Sequence, residues 1–277
     1  TQIDNISYHT TLKSRNLFTK SDLQQSGTGS LQISDSHFDG NLRIVCPQTS
    51  VHIESSTLTR QSSTMTSAAL DIMTSNASIG IEESIITGHK LSALQIHANE
   101  VSLISTASNY SNNGLSNMRN ALHIVADDYM SISHQEDSIS NNAGGILLDS
   151  PESSANSDIS IIESTIKENN GTAFSCLLNS TAHFYGNAIS GNFNEGIDAN
   201  NGFNADISYT LIDDNGGHGI SIGSFGTLDL NYVRVCDSGD DGIVSGSPTS
   251  LSHCNVGFNS GEALRLTGNN FHTVDNS

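Results

Sequence analysis

Short apolar segments alternate with polar turns along most of the chain. From Leu31 onward, a first kind of segment recurs as LQISDSHF, VHIESSTL, IGIEESII, VSLISTAS, MSISHQED, ISIIESTI, AHFYGNAI, ADISYTLI, LDLNYVRV and SLSHCNV. A second kind follows each of these after a polar turn, as NLRIV, ALDIM, ALQIH, ALHIV, GILLD, AFSCL, GIDAN, GISIG, GIVSG and ALRLT. Apolar and polar residues that alternate with a period of two are typical of β-strands with one buried face. The pattern therefore predicts an all-β chain of about ten coils, with very little helix.

The clearest repeat lies between Ile189 and Leu266. It comprises the segments SGNFNEGIDA, DDNGGHGISI, CDSGDDGIVS and GFNSGEALRL, each with a small residue directly followed by an aliphatic one. These pairs are Gly196-Ile197, Gly219-Ile220, Gly242-Ile243 and Ala263-Leu264, at spacings of 23, 23 and 21 residues. A period of this length indicates structural units that stack on one another. We therefore expect a solenoid, in which residues one period apart along the chain become neighbours in space.

This pattern resembles the right-handed parallel β-helix of the pectate-lyase-like superfamily, over nearly the whole chain from about Leu31. The resemblance implies that successive coils pair in parallel and in register around a column of aliphatic side chains. Residues 1–29 fit the repeat less well, so we expect an N-terminal cap or an incomplete first coil there, and the β-helix over residues 30–277. Residues 271–274 have the pattern of one more first strand, which predicts a β-helix truncated at its C-terminal end. Lyases, hydrolases, phage tailspikes and secreted adhesins share this coil, so the resemblance implies no single function.

The composition is strongly acidic. Asp and Glu number 29 against 10 Lys and Arg, which gives a formal net charge of −19. Such a surface repels nucleic acid and anionic membranes, and it repels an anionic polysaccharide unless cations bridge the two. No segment has the apolar length of a membrane-spanning helix. We therefore expect an extracellular or cell-surface protein whose partner is a polysaccharide or a cell-surface glycan, with no nucleic acid bound and no membrane insertion.

The four cysteines do not define a disulfide framework. Cys46 and Cys176 lie five coils apart in the predicted solenoid, which is farther than a disulfide can bridge. Cys236 and Cys254 lie on adjacent coils at non-equivalent positions, so a bond between them stays open at this stage. The cysteines therefore do not indicate the redox compartment.

Ionisable residues cluster at one position of the last four coils. The position is the outward one directly before the second kind of segment. In order, the ten coils carry there Gly40, Ala68, Ser92, Asn120, Gly144, Thr172, Glu195, His218, Asp241 and Glu262. The last four would form a column with a step of about 4.8 Å, flanked by Asp198 and Arg265. Carboxylates stacked this closely favour protonation of one of them, and a protonated acid beside an ionised one is what glycoside hydrolysis needs. The alternative is that an acidic protein simply carries acids on its surface coils.

One segment of this cluster is similar to a motif of the polygalacturonases, which are β-helical hydrolases. GGHGISIGS, from Gly216 to Ser224, resembles their GGHGLSIGS segment, and NEGID around Glu195 is similar to their NTDGFD element. Asp240-Asp241 is similar to their paired aspartates, and Leu264-Arg265-Leu266 to the arginine part of their RIK element. Here, however, the paired aspartates follow His218, whereas in that family they precede the histidine. The resemblance implies Asp241, Glu195, His218 and Asp240 as candidate catalytic residues, and Arg265 and Asp198 as candidate substrate-binding residues. Glu262, the last member of the column, is a further candidate for substrate binding.

Two further features add candidates. Tyr209 and Tyr232 occupy equivalent positions on adjacent coils, where they would form either a structural aromatic stack or a platform for sugar rings. The segment GGHGISI also approximates a calcium-binding nonapeptide, although Ser221 stands where that repeat has a liganding aspartate. Histidine and carboxylates at Glu195, His218 and Asp241 suit several divalent ions. Calcium is therefore a candidate cofactor, and no residue is assigned as a metal ligand.

Two functions follow from the sequence. The first is a secreted or cell-surface β-helix with an adhesive, structural or carbohydrate-binding role. The second is a polysaccharide hydrolase or lyase, in which a carboxylate pair acts as acid and base and Arg265 holds a substrate carboxylate through two hydrogen bonds. Whether the protein is an enzyme is left open between them.

Overall fold

A computed structural model describes residues 6–7, 11–15, 18–19, 23–26, 29–59, 68–114, 120–151, 156–200, 202–267 and 272–275. Every regular element in these residues is a β-strand. The first sixteen are β1 (Ile6–Ser7), β2 (Thr11–Arg15), β3 (Phe18–Thr19), β4 (Leu23–Ser26), β5 (Gly29–Ser34), β6 (His37–Asp39), β7 (Leu42–Val45), β8 (Gln48–Glu54), β9 (Thr57–Thr59), β10 (Leu70–Met73), β11 (Asn76–Glu82), β12 (Ile85–Thr87), β13 (Leu94–Thr106), β14 (Asn109–Ser111), β15 (Asn120–Gln135) and β16 (Ser138–Ser140). The others are β17 (Gly144–Asp149), β18 (Asn156–Ile162), β19 (Thr165–Lys167), β20 (Phe174–Cys176), β21 (Asn179–Tyr185), β22 (Ala188–Ser190), β23 (Ile197–Ala199), β24 (Phe203–Ser208), β25 (Leu211–Asp213), β26 (Ile220–Ile222), β27 (Thr227–Asn231), β28 (Arg234–Cys236), β29 (Ile243–Ser245), β30 (Thr249–Ser252), β31 (Asn255–Gly257), β32 (Leu264–Leu266) and β33 (His272–Asp275).

The strands form a parallel β-solenoid with three strands in each turn. A long strand such as β24 is followed by a short strand such as β25 and then by a third strand such as β26. The short strands form one sheet of 11 strands, and the long and third strands together form a sheet of 22. Strands β13 and β15 link the two columns of the larger sheet, because each continues from a third strand into the next long strand. In the described residues, β5 to β32 make ten turns, which confirms the predicted architecture.

The register of the third strands agrees with the repeat predicted from the sequence. Leu42, Leu70, Leu94 and Leu122 pair in one inner column, which continues on later turns through Ile197, Ile220 and Ile243. All of these side chains are buried. The outward residues pair in register as well, so that Asp198 lies beside Ser221 and Val244 lies beside Arg265. Stacking of aliphatic residues at the inward positions therefore turns the sequence period into a continuous hydrophobic core.

Strand pairing extends to both ends of the described chain. Strands β1 to β4 lie within residues 1–29, and they pair in parallel with β4, β5, β6 and β7 respectively. The boundary between a cap over residues 1–29 and the β-helix over residues 30–277 stays a prediction. At the other end, β33 pairs with β30 as the next long strand, as the pattern of residues 271–274 predicts, although residue 271 itself lies outside the described part.

The turn after each long strand repeats one backbone conformation. From β5 to β30, the residue that follows the long strand has a positive φ of 46° to 67°. These residues are Asp35, Ser55, Glu83, Ala107, Glu136, Glu163, Gly186, Tyr209, Tyr232 and His253. The next residue in the chain is usually buried and polar, and its amide donates to the polar side chain one turn ahead, as from Ser84 to the Ser108 hydroxyl at 3.1 Å. Of the ten residues, only Asp35 and Gly186 are of types that readily adopt this left-handed conformation, so the surrounding turn holds most of the others in it.

A second ladder of polar side chains follows the short strands. Its asparagines are Asn113, Asn142, Asn169, Asn192 and Asn215, and all are buried. The backbone N–H of each of the first four donates to the side-chain Oδ1 atom of the next asparagine, at 2.9 to 3.2 Å. The side-chain amides also donate to backbone carbonyl groups of the turn before. The ladder thus satisfies backbone groups that the short, bent turns leave unpaired.

The cysteines are all buried and free, so the disulfide between Cys236 and Cys254 that the sequence left open is not formed. Cys236 lies at the end of β28, and its thiol donates to Asp213 at 3.1 Å. Cys254 precedes β31, and its thiol donates to the backbone of Leu230 and Ser252. The described part of the chain also contains no helix long and apolar enough to cross a membrane.

Candidate functional site

The four ionisable residues of the predicted column lie on successive turns of the solenoid. They are Glu195, His218, Asp241 and Glu262, each two residues before a third strand. Backbone hydrogen bonds connect the column, because the amides of Gly196, Gly219 and Gly242 donate to the carbonyl groups of the residues one turn ahead, at 3.0, 3.1 and 2.8 Å. The sequence therefore predicted correctly that these positions are stacked.

The small residue after each column position has a steric cause. A Cβ atom on Gly219 would lie 2.7 Å from the carbonyl oxygen of Gly242 and would also collide with Val235. The turns approach so closely here that the neighbouring backbone occupies the space of a side chain. This close approach explains the small residue in the repeat, and it also brings His218 next to Asp241.

His218 lies against two aspartates. The amide of Asp241 donates to its Nδ1 atom at 3.2 Å, and carboxylate oxygens of Asp240 and Asp241 lie 3.8 and 3.9 Å from the same nitrogen. Because Nδ1 accepts the amide proton in this arrangement, the neutral ring carries its own proton on Nε2. A protonated His218 would have to direct Nδ1–H at one of the carboxylates instead. The ring is thus held from one side by the next turn of the solenoid.

Asp241 is fully engaged by its own protein. Only 5% of this residue is exposed. One carboxylate oxygen accepts the backbone N–H of Glu262 at 2.7 Å, and the other accepts from Nη2 of Arg265 at 2.9 Å. Charge-assisted bonds of this length hold both partners firmly. The guanidinium group that the sequence assigns to a substrate carboxylate is therefore bound to Asp241.

Asp198 and Glu195 form the other half of the patch. The Thr172 hydroxyl donates to Glu195 at 2.8 Å, and Asp198 lies on β23 between Ser175 and Ser221 of the neighbouring strands. Burial raises the pKa of Asp198 and the negative charge of Glu195 raises it further, whereas a hydrogen bond from Ser221 and the nearby His218 lower it. Because burial is the largest of these effects, Asp198 keeps its proton to a higher pH than an ordinary aspartate.

Tyr209 and Tyr232 lie in a different row of turns, directly after the long strands. Their rings stack on each other with centroids 5.0 Å apart and planes 9° apart. The stack continues to His253 beyond Tyr232 at 4.6 Å, and Tyr185 meets Tyr209 edge to face at 5.4 Å. Ring faces that cover one another cannot also lie against a sugar ring. Any contact of these tyrosines with a substrate is limited to their edges and hydroxyl groups.

The structure thus brings most, but not all, of the predicted site residues together. One group comprises His218, Asp240, Asp241, Glu262 and Arg265, a second comprises Glu195 and Asp198, and Tyr209 and Tyr232 stand apart from both. Sequence reasoning placed Thr172 and Ser221 on the outer face but did not assign them a role, although in the structure they hydrogen-bond Glu195 and Asp198 respectively. It also missed that His253 continues the aromatic stack, although His253 lies one period after Tyr232.

Among the residues that the structure describes, two groups of side chains have a spacing that would suit a metal ion. His218, Asp240 and Asp241 offer ligand atoms within 4.8 Å of one another, and so do Asp213, Cys236 and Asp237. The first group supplies a nitrogen and two carboxylates, whereas calcium prefers six to eight oxygen ligands. In the second group, burial and the nearby Asp213 raise the pKa of Cys236 to about 11, which opposes the thiolate that metal binding needs. Calcium binding therefore stays a prediction of the sequence.

Parallel strands stacked in register and buried side-chain ladders define a β-solenoid, and the candidate patch lies on its outer surface. A family described as the right-handed beta helix region matches residues 99–256, and the chain belongs to this family. The match is consistent with the pectate-lyase-like superfamily. Searches of curated proteins and of solved structures found no match to the chain.

Proposed function

We propose that this protein is a secreted or cell-surface β-helix that binds carbohydrate without cleaving it. The observation that carries the proposal is the state of Asp241, the first catalytic candidate from the sequence. Both of its oxygens are bound, at 2.7 Å to the Glu262 amide and at 2.9 Å to Arg265. A general acid or base has to reach the proton that it transfers. This carboxylate instead holds two successive turns of the solenoid together.

Carbohydrate binding is supported by the outward faces of the long strands. Ser50, Ser78, Ser102 and Ser131 pair in register and present one hydroxyl group per turn, about 4.8 Å apart. Hydroxyl groups repeated at a fixed step can form hydrogen bonds with successive units of a glycan. The net charge of −19 favours uncharged glycans, because anionic ones are repelled. Several weak contacts along one rod would add up to adhesive binding.

The test is a panel of neutral and acidic polysaccharides, with and without calcium. Reducing ends and unsaturated products measure hydrolysis and elimination, and affinity electrophoresis measures binding. We expect retarded migration with at least one neutral polysaccharide and no release of products. Product release that disappears in Asp241→Asn would overturn the proposal and would identify an enzyme.

A second candidate function, a polysaccharide hydrolase or lyase, is favoured by one observation. Burial raises the pKa of Asp198, and the negative charge of the nearby Glu195 raises it further. A protonated carboxylic acid beside an ionised carboxylate is the pair that glycosidases use. In this second candidate function, Asp198 is the general acid and Glu195 is the carboxylate that it is paired with. His218 and Asp240 lie on the turns that follow.

The same panel separates this candidate from the first. If the chain is a hydrolase of this kind, Asp198→Asn and Glu195→Gln each abolish product release while the far-ultraviolet circular dichroism stays unchanged. Asp229→Asn, an exposed aspartate on β27, is the matched control. Product release that survives both substitutions would remove these two carboxylates from the reaction.

A further inference from the structure

A polar groove crosses the first half of the solenoid, on turns that the candidate site does not use. It has a volume of about 440 Å³ and lies over the starts of β8 and β11 and over the middle of β13 and β15. The candidate patch, in contrast, lies next to the third strands β23 to β32. Sites for small molecules typically have volumes of about 300 to 1,000 Å³. The groove is therefore large enough to hold a short oligomer.

Two columns of side chains in register form the floor of the groove. The first column consists of Gln48, Asn76, Glu100 and Tyr129, and the second consists of Ser78, Ser102 and Ser131. The first column extends over three strand-to-strand steps, which is about 14 Å along the solenoid axis. The turns of β11, β13 and β15 each contribute one hydroxyl group and one larger polar side chain. This arrangement is periodic in the same direction as a linear polymer laid along the axis.

A β-bulge positions the aromatic residue of the groove. The register between β13 and β15 shifts between Ala98 and Glu100, after which Glu100 pairs with Tyr129. Bulges of this kind commonly redirect side chains next to functional sites. The Tyr129 hydroxyl donates to Asp158 at 2.8 Å, which fixes the ring while 40% of the residue remains exposed. A tyrosine held by its hydroxyl offers a rigid amphipathic surface at low entropic cost.

The chemistry of the lining selects among ligands. Apart from Glu100, the described residues that line the groove have side chains that are uncharged at neutral pH, mainly hydroxyl and amide groups. An anionic ligand would meet Glu100 and the negative field of the whole protein without a cation in this lining to bind it. An apolar ligand would leave the hydroxyl and amide groups without partners. A neutral molecule rich in hydroxyl groups matches both conditions.

We propose that this groove binds an uncharged oligosaccharide that lies along the solenoid axis and contacts the ring of Tyr129. The inference rests on the proposed carbohydrate-binding function and assigns that function a site and a class of ligand. The polar side chains of the two columns form hydrogen bonds with successive sugar units, and Tyr129 fixes one end of the oligomer.

The test is isothermal titration calorimetry with neutral gluco-, manno-, xylo- and galacto-oligosaccharides, and with oligogalacturonate as the acidic counterpart. Tyr129→Ala removes the aromatic surface, and Ser102→Tyr fills the middle of the groove. Tyr185→Ala, another exposed tyrosine, and Thr181→Tyr, two turns beyond Ser131 in the same column, are the matched controls. We expect at least one neutral oligosaccharide to bind the parent protein. Its affinity should fall about tenfold in Tyr129→Ala, and its binding should be undetectable in Ser102→Tyr. Both controls should bind it with the affinity of the parent.

The outcomes distinguish the site from the function. If a neutral oligosaccharide binds the parent and both groove variants equally well, the groove is wrong and carbohydrate binding stands. If only oligogalacturonate binds, the proposed class of ligand is wrong. If no carbohydrate binds the parent protein, both the groove and the proposed function are wrong. Circular dichroism and melting curves of every variant show whether a loss of binding comes from a loss of fold.

Discussion

Asp198 and Asp241 show how two carboxylates in one patch acquire different properties from their neighbours. Asp241 accepts hydrogen bonds from a guanidinium group and a backbone amide, which occupy both of its oxygens. Asp198 is half-buried on a strand between two serines, and the nearby His218 lowers its pKa by less than burial raises it. Burial therefore dominates at Asp198 and raises its pKa, whereas Asp241 is tied into the structure.

The raised pKa of Asp198 predicts a specific pH dependence of stability. The folded state binds this proton more tightly than the unfolded state, so the stabilisation is complete below the ordinary aspartate pKa of 3.8 and is lost as the pH rises through the higher folded pKa. Asp198→Asn removes this titration. We expect the melting temperature of the variant, relative to the parent, to rise between pH 4 and pH 7, as measured by scanning calorimetry in steps of pH.

The exposed Asp229 supplies the control for this measurement, since Asp229→Asn removes one negative charge from β27 without opening the patch. If the melting curves of Asp198→Asn and the parent kept a constant separation over the whole pH range, the burial of Asp198 would have no influence on its protonation.

At the scale of the elements, buried polar ladders accompany the hydrophobic core through successive turns. The His134 and Asp137 side chains are fully buried and hydrogen-bonded at 2.7 Å, and Asp137 also accepts the amide of Ser108 at 2.8 Å. The asparagine ladder repeats the same principle after the short strands. Because the turns are too tight for regular backbone pairing, side chains complete the hydrogen bonding that a buried backbone requires.

Asn169 is the middle member of the asparagine ladder and provides its test. Its Oδ1 atom accepts the Asn142 amide at 3.0 Å, and its Nδ2 atom donates to the Ile139 carbonyl at 3.1 Å and to Asn192 at 2.9 Å. Asn169→Ala leaves several buried groups without partners, each of which costs about 1 to 3 kcal/mol. We expect the free energy of unfolding, from urea titration, to fall by at least about 2 kcal/mol.

The exposed Asn231 at the end of β27 provides the comparison, because its replacement by alanine should change stability by less than about 0.5 kcal/mol. Equal losses for Asn169→Ala and Asn231→Ala would mean that the ladder contributes no more to stability than a surface asparagine.

The strands and their register could be predicted from the sequence, because period-two alternation and a fixed repeat length are properties of the chain alone. The pairing of Asp198 with Ser221 follows directly from that register. The partners of Asp241 could not be predicted, since they depend on how the arginine one strand further bends back across the turn. The stacked aromatic faces of Tyr209 and Tyr232 likewise depend on side-chain rotamers, which no pattern of polar and apolar residues contains.

At the scale of the whole molecule, the solenoid has a long core to which the strands of each turn contribute several inward side chains. Each turn contacts mainly the turns before and after it, so stability is distributed over many similar interfaces. Buried residues in any turn therefore report on the opening of that turn. Cys46, Cys176, Cys236 and Cys254 are suitable reporters, because they are buried on three separate parts of the chain.

These thiols predict a clear difference between the native and the denatured protein. In native buffer, Ellman's reagent should react with none of the four within minutes, because reaction requires a thiolate and access to solvent. Cys236, with its pKa of about 11, is protected in both respects. In concentrated urea all four should react, as measured at 412 nm (the absorbance of the released dye). Only two reactive thiols in urea would mean that a disulfide had formed.

The backbone ladders between Gly196, Gly219 and Gly242 also govern how the molecule responds to mechanical tension. A pull along the axis loads each pair of adjacent turns in series, so the rod should yield by peeling away its outermost turn and then the next. Each released turn of 23 residues would lengthen the tether by up to about 80 Å. If the protein is anchored at one end and bound to a ligand in its groove, its turns would thus unfold one at a time under load. Each unfolding step would relax the tension before the bond to the ligand breaks.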